Sequence, residues 1–504
     1  MNQKKAGVVI SYIGQAVNIL VGLAYTPIML RLLGKSEYGT YQLVSSVVSY
    51  LSLLSLGFGA SYMRFYAKEK AANSEDGVAK LNGMFLLIFS TISLVCVICG
   101  CVMVKNIRLL FSEGLTEEEY HIATILMILL VINLAITFPN TVFNCIITSQ
   151  ERFVFQKSLI LIHHLLNPFV SLPLLLLGYG SVGMVAATTV VTLLVLLTNM
   201  YYCFRKLHCR FSFRGMRFSL LKEMWIFTFF IFLNQIVDQI NWSVDKFLLG
   251  RMKGTAAVAL YGVGGQINTL YVHFSSAISS VFVPSVNRNV AEKRDDTILS
   301  NLFIKVGRVQ FMVVMLIVSG FVFFGKPFIA FWAGKEYVNA YQVTLLLIIP
   351  VTIPLIQNLG IEIQRAKNKH KARSVVYFFI AISNILISIP LVMKYGPTGA
   401  ALGTMVSLLI GNGLFMNWYY HKHLGIDILG FWRNIAAVSV GLILPVILGI
   451  IGSLFCDFSS IVFLIIGILV YTMVYCASMY FWGMNKDEKR MVLVPFKRFF
   501  VRVS

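Results

Sequence analysis

At 504 residues the chain is 58% hydrophobic and only 12% charged, which is more apolar surface than a soluble protein of this size can bury. It therefore reads as an all-α integral membrane protein that crosses the bilayer many times. Its 42 Lys+Arg against 21 Asp+Glu give a formal net charge of +21; in a membrane protein such an excess gathers in cytoplasmic loops and meets anionic membrane lipids, so no nucleic-acid partner is expected.

The N-terminus, MNQKKAGVVISYIGQAVNIL, has a charged head and an apolar run. That run continues to Leu33 without a small-residue cleavage site, too long for a leader, and is expected to be the first membrane helix. A span needs about 20 apolar residues. Such runs lie near 8–30, 39–63, 81–104, 121–148, 158–178, 181–204, 222–249, 257–286, 302–324, 340–363, 374–393, 398–420, 433–454 and 459–482, about 14 transmembrane helices in all. With the N-terminus placed in the cytoplasm, 32 of the 42 basic residues fall on the cytoplasmic side and 10 outside, a strong positive-inside bias. The C-terminus returns to the cytoplasm, where FKRFFVRVS supplies a basic-aromatic tail suited to headgroups. The outer loop holding Glu113, Glu117, Glu118 and Glu119 is acidic, which agrees with this orientation.

The chain repeats itself. LLGKSEYGTYQ (32–42) is echoed by LLGRMKGTAAVALYG (248–262), ITSQERFVFQK (147–157) by IEIQRAKNKHK (361–371), and NPFVSLPLLLLGYGSVG (167–183) by NILISIPLVMKYGPTG (384–399). The offsets all lie between 214 and 223 residues, which points to an internal duplication. Six helices per copy give both copies the same orientation, a parallel repeat about an axis along the membrane normal. The expected organisation is an N-terminal six-helix lobe (1–210), a second six-helix lobe (211–425), and two further helices with a basic tail (426–504), with the lobes facing each other across a cavity. The glycines of the echoed loop allow tight turns, and Tyr38 and Tyr261 are expected at the membrane interface.

Ionisable residues inside a membrane are costly and usually face a polar cavity. On the seventh run Asn234, Asp238, Asn241 and Asp245 recur at i, i+4, i+7 and i+11, one face of a regular helix. The first run carries Ser11, Gln15, Asn18 and Gly22 at the same spacing, with Asn18 aligned to Asn234. Hydrogen bonding between helices is the alternative role for the amides and hydroxyls. Asp238 is the stronger candidate for ion coupling by H⁺ or Na⁺, with Asp245 second. Arg64 ends the second run and Arg288 the eighth, both at the cytoplasmic mouth; Arg31 and Lys35 close the first run, Arg308 opens the ninth, and Arg365 follows Glu362. Each alone reads as a topology-fixing charge, but as a set they could line a route for an anionic group, since Arg binds phosphate in a bidentate manner. His163 and His164 open the fifth helix and read as helix-end residues. The eight cysteines read as packing residues rather than a metal or disulfide framework. No P-loop, G-x-S-x-G or H-E-x-x-H is present, so no catalytic residues, metal or bound cofactor are expected and the chain does not read as an enzyme.

LLGKSEYGTYQL after the first helix, SLGFGASYMRFYAKE at the end of the second, VDKFLLGR at the end of the seventh and the NPFVSLPLLLLGYGSVG hairpin together resemble the polysaccharide-transporter (Wzx-type O-antigen flippase) family of the multidrug/oligosaccharidyl-lipid/polysaccharide exporter superfamily. The resemblance extends over essentially the whole chain. It implies a flippase that moves an undecaprenyl-pyrophosphate-linked oligosaccharide across the bacterial cytoplasmic membrane by alternating access, for surface polysaccharide assembly with partner proteins. By analogy with related lipid II flippases, which have cationic cavities, Arg64 and Arg288 are expected to meet the pyrophosphate; Gln15, Asn18, Asn234 and Arg31 are further candidate substrate contacts from their position and polarity alone. The competing expectation is a cation-coupled drug or metabolite antiporter of the same superfamily, which would usually need only twelve helices.

Overall fold

A computed structural model describes residues 3–111, 114–215, 219–280, 282–292, 295–367 and 369–490. Glu113 and the tail 496–504 lie outside the described residues. Every regular element among those described is helical. Packing divides the chain into two compact units, Met1–Gly262 with Tyr377–Ala400, and Val263–Val376 with Ala401–Ser504.

The first unit contains α1 (Gln3–Ser49), α2 (Phe58–Ala71), α3 (Glu75–Lys105), α4 (Ile107–Phe111), α5 (Glu117–Ser149), α6 (Phe153–Leu176), α7 (Gly180–Tyr201), α8 (Ser219–Gln239), α9 (Asp245–Lys253) and the start of α10 (Thr255–Ser280). Local chemistry sets several starts. Ser74 caps α3, its hydroxyl accepting from the Gly77 amide at 2.9 Å. Thr116 and Glu119 form a reciprocal capping box on α5.

The register of contacts gives each helix its direction. Gly7 abuts Phe153, the Tyr25 hydroxyl lies 2.7 Å from Ser171 Oγ, and the Ser181 amide and hydroxyl donate to Glu37 at 2.5 and 2.7 Å. The first part of α1 thus runs alongside α6 in the same direction. Further on, Ser36 donates to Glu119, and Gly59 at the start of α2 packs on Thr141, so the chain beyond Gly34 runs with α5. Helices α5 and α6 are successive and antiparallel, joined by residues 150–152. The chain therefore reverses at Gly34, where φ is 69° and ψ 177°, a backbone conformation open essentially to glycine alone. The stretch Ala6–Ser55 has 50 residues, about 75 Å of helix against a hydrocarbon layer of about 30 Å, and the reversal divides it into two membrane-length parts.

The second unit holds the rest of α10, then α11 (Val283–Ala291), α12 (Asp296–Trp332), α13 (Ala340–Ile356), α14 (Asn358–Ala366), parts of α15 (His370–Leu408), α16 (Met416–Leu424), α17 (Ile428–Ser439), α18 (Ile443–Phe455) and α19 (Ile461–Ser478). The stretch Tyr377–Ala400 of α15, which belongs to the first unit, repeats the device of α1: at Gly396 φ is 59° and ψ −133°, and Gly399 lies against the backbone of Leu391, so the chain doubles back. Helices α13 and α14 are bent by 43° at Gln357. Among the described residues nine helices are long and apolar enough to cross a membrane, or ten if the bent pair is one span. Two pairs of successive apolar runs are fused across glycine hairpins, in α1 and in α15, so these four runs count as two helices.

The duplication is visible as matched buried contacts. In the first unit Asn199 Nδ2 donates to Asn140 Oδ1 at 2.8 Å, tying α7 to α5. In the second, Gln357 Nε2 donates to Asn417 Oδ1 at 2.7 Å, from positions 217 and 218 residues further along. Gly180 and Gly396 share positive φ, 56° and 59°. The turn glycine matching Gly34 is Gly254, with φ 82° and ψ 179°, whereas the LLG echo aligns Gly34 with Gly250. Gly250 is helical and packs on Leu43. The sequence repeat and the packing units do not coincide over residues 219–262, which pack with α1 in the first unit.

Candidate functional site

The two acidic residues of the seventh run differ in surroundings. A π-helical segment, Ile240–Val244, lies between α8 and α9. One extra residue in a helical turn rotates everything after it by about 100°. The regular-helix expectation that Asp238 and Asp245 share a face fails for this reason. Asp245 is 1% exposed and accepts a 2.6 Å hydrogen bond from the Tyr261 hydroxyl. Asp238 is exposed, and Asn234, one turn before it, is half-buried.

Asp245 stands at one end of a polar ladder between the second part of α1 and α8–α9. Lys246 Nζ donates to Gln42 Oε1 at 2.9 Å, and Gln42 Nε2 donates to the Tyr38 hydroxyl at 2.8 Å. Further along, Gln239 Nε2 donates to Ser49 and, at 2.6 Å, to Ser243 Oγ, with the two hydroxyls 3.1 Å apart. Tyr38 and Tyr261 are buried in the protein and do not face outward as lipid-anchoring aromatics would: their hydroxyls are held by Gln42 and Asp245. The echoed loop serves to pack α1 against α9 and α10. The residues that do this, Gln42, Ser49, Gln239 and Lys246, were not singled out by periodicity. Their signal was only that polar side chains sit opposite one another in two apolar runs.

The arginine candidates separate into two kinds. Arg64 lies in α2, which starts afresh at Phe58 after Leu56 (φ 50°) and Gly57 (φ 70°); it does not end a continuous second helix. Arg288 lies on the short helix α11, which follows the end of α10 at Ser280. Both copies thus break their second helix and place an exposed arginine on the short helix beyond the break. Arg31, also exposed, lies one turn before the reversal at Gly34, and Gln15 and Asn18 are half-buried on the first part of α1. Arg365 pairs with Glu362 at 2.8 Å on the surface. His163 and His164 lie within α6 with ring centroids 5.9 Å apart.

Arg308 is different. It lies three turns inside α12, not at its start, and it is buried. Its Nε and Nη2 donate to Glu488 Oε1 and Oε2 at 2.6 and 2.8 Å, Nη1 to the Asn434 carbonyl at 3.0 Å, and Nη2 to the Gly483 carbonyl at 3.2 Å. Glu488 also accepts from the Asn485 amide at 2.8 Å, while its own amide donates to Asn485 Oδ1 at 2.9 Å. A guanidinium so enclosed cannot line a route for an anion. It clamps α12 to α17 and to the segment after α19. The sequence signal for its partner was Asn485-x-x-Glu488, a helix-start pattern.

Among the described residues no group of three or more His, Cys, Asp or Glu could hold a metal ion.

Comparison with known proteins adds three findings. The pattern of the family described as polysaccharide biosynthesis protein matches residues 5–290, a stretch that includes Arg64 and Arg288. A putative O-antigen transporter of Shigella flexneri is 19% identical over 426 residues, 81% of this chain and 96% of that protein. Among solved structures, the lipid II flippase MurJ in an inward closed conformation superposes with a TM-score of 0.76 at 16% identity, covering 93% of this chain and 98% of that one. An inward-facing multidrug resistance MATE transporter gives 0.62 at 16% identity, covering 83% of this chain and 99% of that one.

Proposed function

Since the chain belongs to the polysaccharide biosynthesis protein family, we propose that it is a flippase for lipid-linked oligosaccharides and that its cargo is carried on undecaprenyl pyrophosphate. The observation that carries this reading is the likeness to the lipid II flippase over 93% of the chain. The 7% left out is about 35 residues, fewer than α17 to α19 occupy, so the likeness reaches into the C-terminal helices that a twelve-helix antiporter has no need of.

In this reading the two six-helix copies alternate in exposing a central cavity to either side of the bacterial cytoplasmic membrane, with both termini cytoplasmic. Arg64 and Arg288, set in matching positions on α2 and α11, grip the pyrophosphate by charge-assisted hydrogen bonds. Arg31, Gln15, Asn18 and Asn234 offer further polar contacts to the headgroup and its sugars. Asp238, exposed on α8, is the carboxylate that couples transport to H⁺ or Na⁺. Asp245, already engaged by Tyr261, serves packing. The flipped product is handed to polysaccharide-assembly partners outside.

The likeness to the multidrug transporter keeps one competitor, a cation-coupled drug antiporter. Purified protein in proteoliposomes separates the two. A fluorescent undecaprenyl-pyrophosphate sugar lipid is followed between leaflets, with a cationic dye in parallel. Lipid movement with the dye static is the expected result; dye movement driven by a pH or Na⁺ gradient with the lipid static overturns it.

A further inference from the structure

Two thiols meet where the first copy hands over to the linker that follows it. Cys203 lies in the π-helical turn Tyr202–Lys206 after α7, and Cys209 lies in the extended segment beyond it. The Cys209 amide donates to the Cys203 carbonyl at 3.0 Å, which by backbone bond lengths holds the two Cα atoms within about 7 Å of each other. That is the span a disulfide bridges, up to about 6.8 Å between Cα atoms. Each thiol is the other's principal electrostatic neighbour, and both face α5, Cys203 Sγ toward the Phe143 carbonyl and Cys209 Sγ toward Gln150.

The pair is asymmetric. Cys203 is fully buried, with its Sγ 3.8 Å from the Phe143 carbonyl. Cys209 is half-buried and receives a hydrogen bond from Gln150 Nε2 at 3.5 Å. The Cys203 thiol, and then the Gln150 amide, hold the Cys209 thiol below its usual range against the opposing effect of burial. The second copy has nothing comparable. Gln364, the repeat partner of Gln150, is fully buried with no hydrogen-bond partner for its amide among the described residues, and position 425, opposite Cys209 in the repeat, is glycine. The linker itself is docked, with Asn82 Nδ2 donating to the Arg210 carbonyl at 3.0 Å and the Ser212 amide to the Ala79 carbonyl at 2.9 Å. The backbone that carries Cys209 is thus fixed beyond the pair as well as before it.

We propose that Cys203 and Cys209 form a dithiol oxidation site that takes a hydroperoxide as oxidant, with Cys209 attacking and Cys203 resolving. The Cys209 thiolate attacks one oxygen of the hydroperoxide, the O–O bond breaks, and the other oxygen leaves as the alcohol or water after taking a proton. The resulting sulfenic acid is attacked by the Cys203 sulfur, the S–O bond breaks, and water leaves. Two thiols and one hydroperoxide give one disulfide, one alcohol (or water) and one water, with two electrons passing from the sulfurs to the hydroperoxide. With this end of the bundle in the cytoplasm, as proposed above, the resting form is the dithiol.

The test uses the full chain, purified under reducing conditions, exchanged into reductant-free buffer and treated with hydrogen peroxide. Trypsin cuts after Arg205 and Lys206, so a peptide ending at Arg205 stays joined to 207–210 only through a Cys203–Cys209 bridge. The expected result is that joined peptide, two hydrogens lighter than the separate peptides and released by dithiothreitol, forming before oxidation of the exposed Cys101, Cys456 and Cys476. Cys209→Ser should abolish it. Cys203→Ala, eluting as a monodisperse peak like the wild type, should accumulate a sulfenic acid on Cys209 that dimedone traps. Oxidation of the three exposed cysteines while Cys203 and Cys209 remain thiols would overturn the proposal, as would an unlabelled Cys209 in the folded Cys203→Ala protein.

Discussion

Replacing Glu488 by Leu would leave the Arg308 guanidinium buried without its counter-charge. The two side chains are only 6% and 4% exposed, so solvent screening offers little relief. Three carbonyl oxygens would remain as acceptors, Asn434 O at 3.0 Å, Gly483 O at 3.2 Å and Asn434 Oδ1 at 3.5 Å, but none of them carries a counter-charge. Removing one partner of a buried, bidentate ion pair costs about 3–5 kcal/mol. For a unit of roughly this size each kcal/mol moves the melting temperature by about 2–4 °C, so a drop of roughly 6–20 °C is expected. Arg308→Leu alone leaves the carboxylate buried and should cost a similar amount. The double variant removes both charges together and should recover most of the loss, because the desolvation of both ions disappears with their attraction. Thermal unfolding of the detergent-solubilised protein, followed by tryptophan fluorescence, reads all three. A Glu488→Leu protein melting within about 2 °C of the wild type, or a double variant no more stable than the singles, would refute the clamp.

Other consequences are open to direct measurement. Asp238→Asn should abolish gradient-driven transport while expression and folding are unchanged; equal transport at several pH values and Na⁺ concentrations would remove Asp238 from the coupling. Arg64→Ala and Arg288→Ala should each weaken binding of a pyrophosphate-headed lipid about tenfold or more, as expected for loss of charge-assisted hydrogen bonds, and an unchanged affinity would sink that assignment. Gly34→Ala should destabilise by about 1–3 kcal/mol because its backbone conformation admits glycine almost alone. Gly14→Ala, on the same helix with open space around the new methyl group, should be neutral or gain up to about 1 kcal/mol; equal melting temperatures for the two variants would contradict the hairpin at Gly34.

What could be read in the sequence followed from local physics. Long apolar runs, glycines at turns and the offset of the repeated motifs depend on neighbouring residues, and they anticipated the helical membrane fold; the amide contacts Asn140–Asn199 and Gln357–Asn417 fall at the same offset but carried no signal of their own. The fate of the polar side chains was less legible. A stripe drawn at 3.6 residues per turn assumes an unbroken helix, and one π-helical turn between Asp238 and Asp245 moved one aspartate inward and left the other exposed. Arg308 was indistinguishable from a topology-fixing charge because its partner stands 180 residues away, beyond a pair of helices outside the repeat. Tyr38 and Tyr261 carry the composition of interfacial residues, and only the contact with Gln42 and Asp245 shows that their hydroxyls are satisfied within the fold. Arg64 and Arg288 were located by the repeat, and the break before each short helix gives that pairing a structural counterpart.

The buried amides also tie the C-terminal helices to the interior of the second unit. In the second unit Asn417 Oδ1 accepts a second hydrogen bond, from Trp432 Nε1 of α17 at 3.0 Å. In the first, Asn199 Oδ1 has no partner among the described residues. Together with Asn434, Gly483 and Glu488 around Arg308, Trp432 makes the last two membrane helices part of the interior of one copy and leaves its twin without an equivalent. A chain shortened to end before α17 would lose the partners that the C-terminal helices supply. It would orphan Arg308 and take one bond from Asn417, so one amide depends on the C-terminal helices while its counterpart does without them.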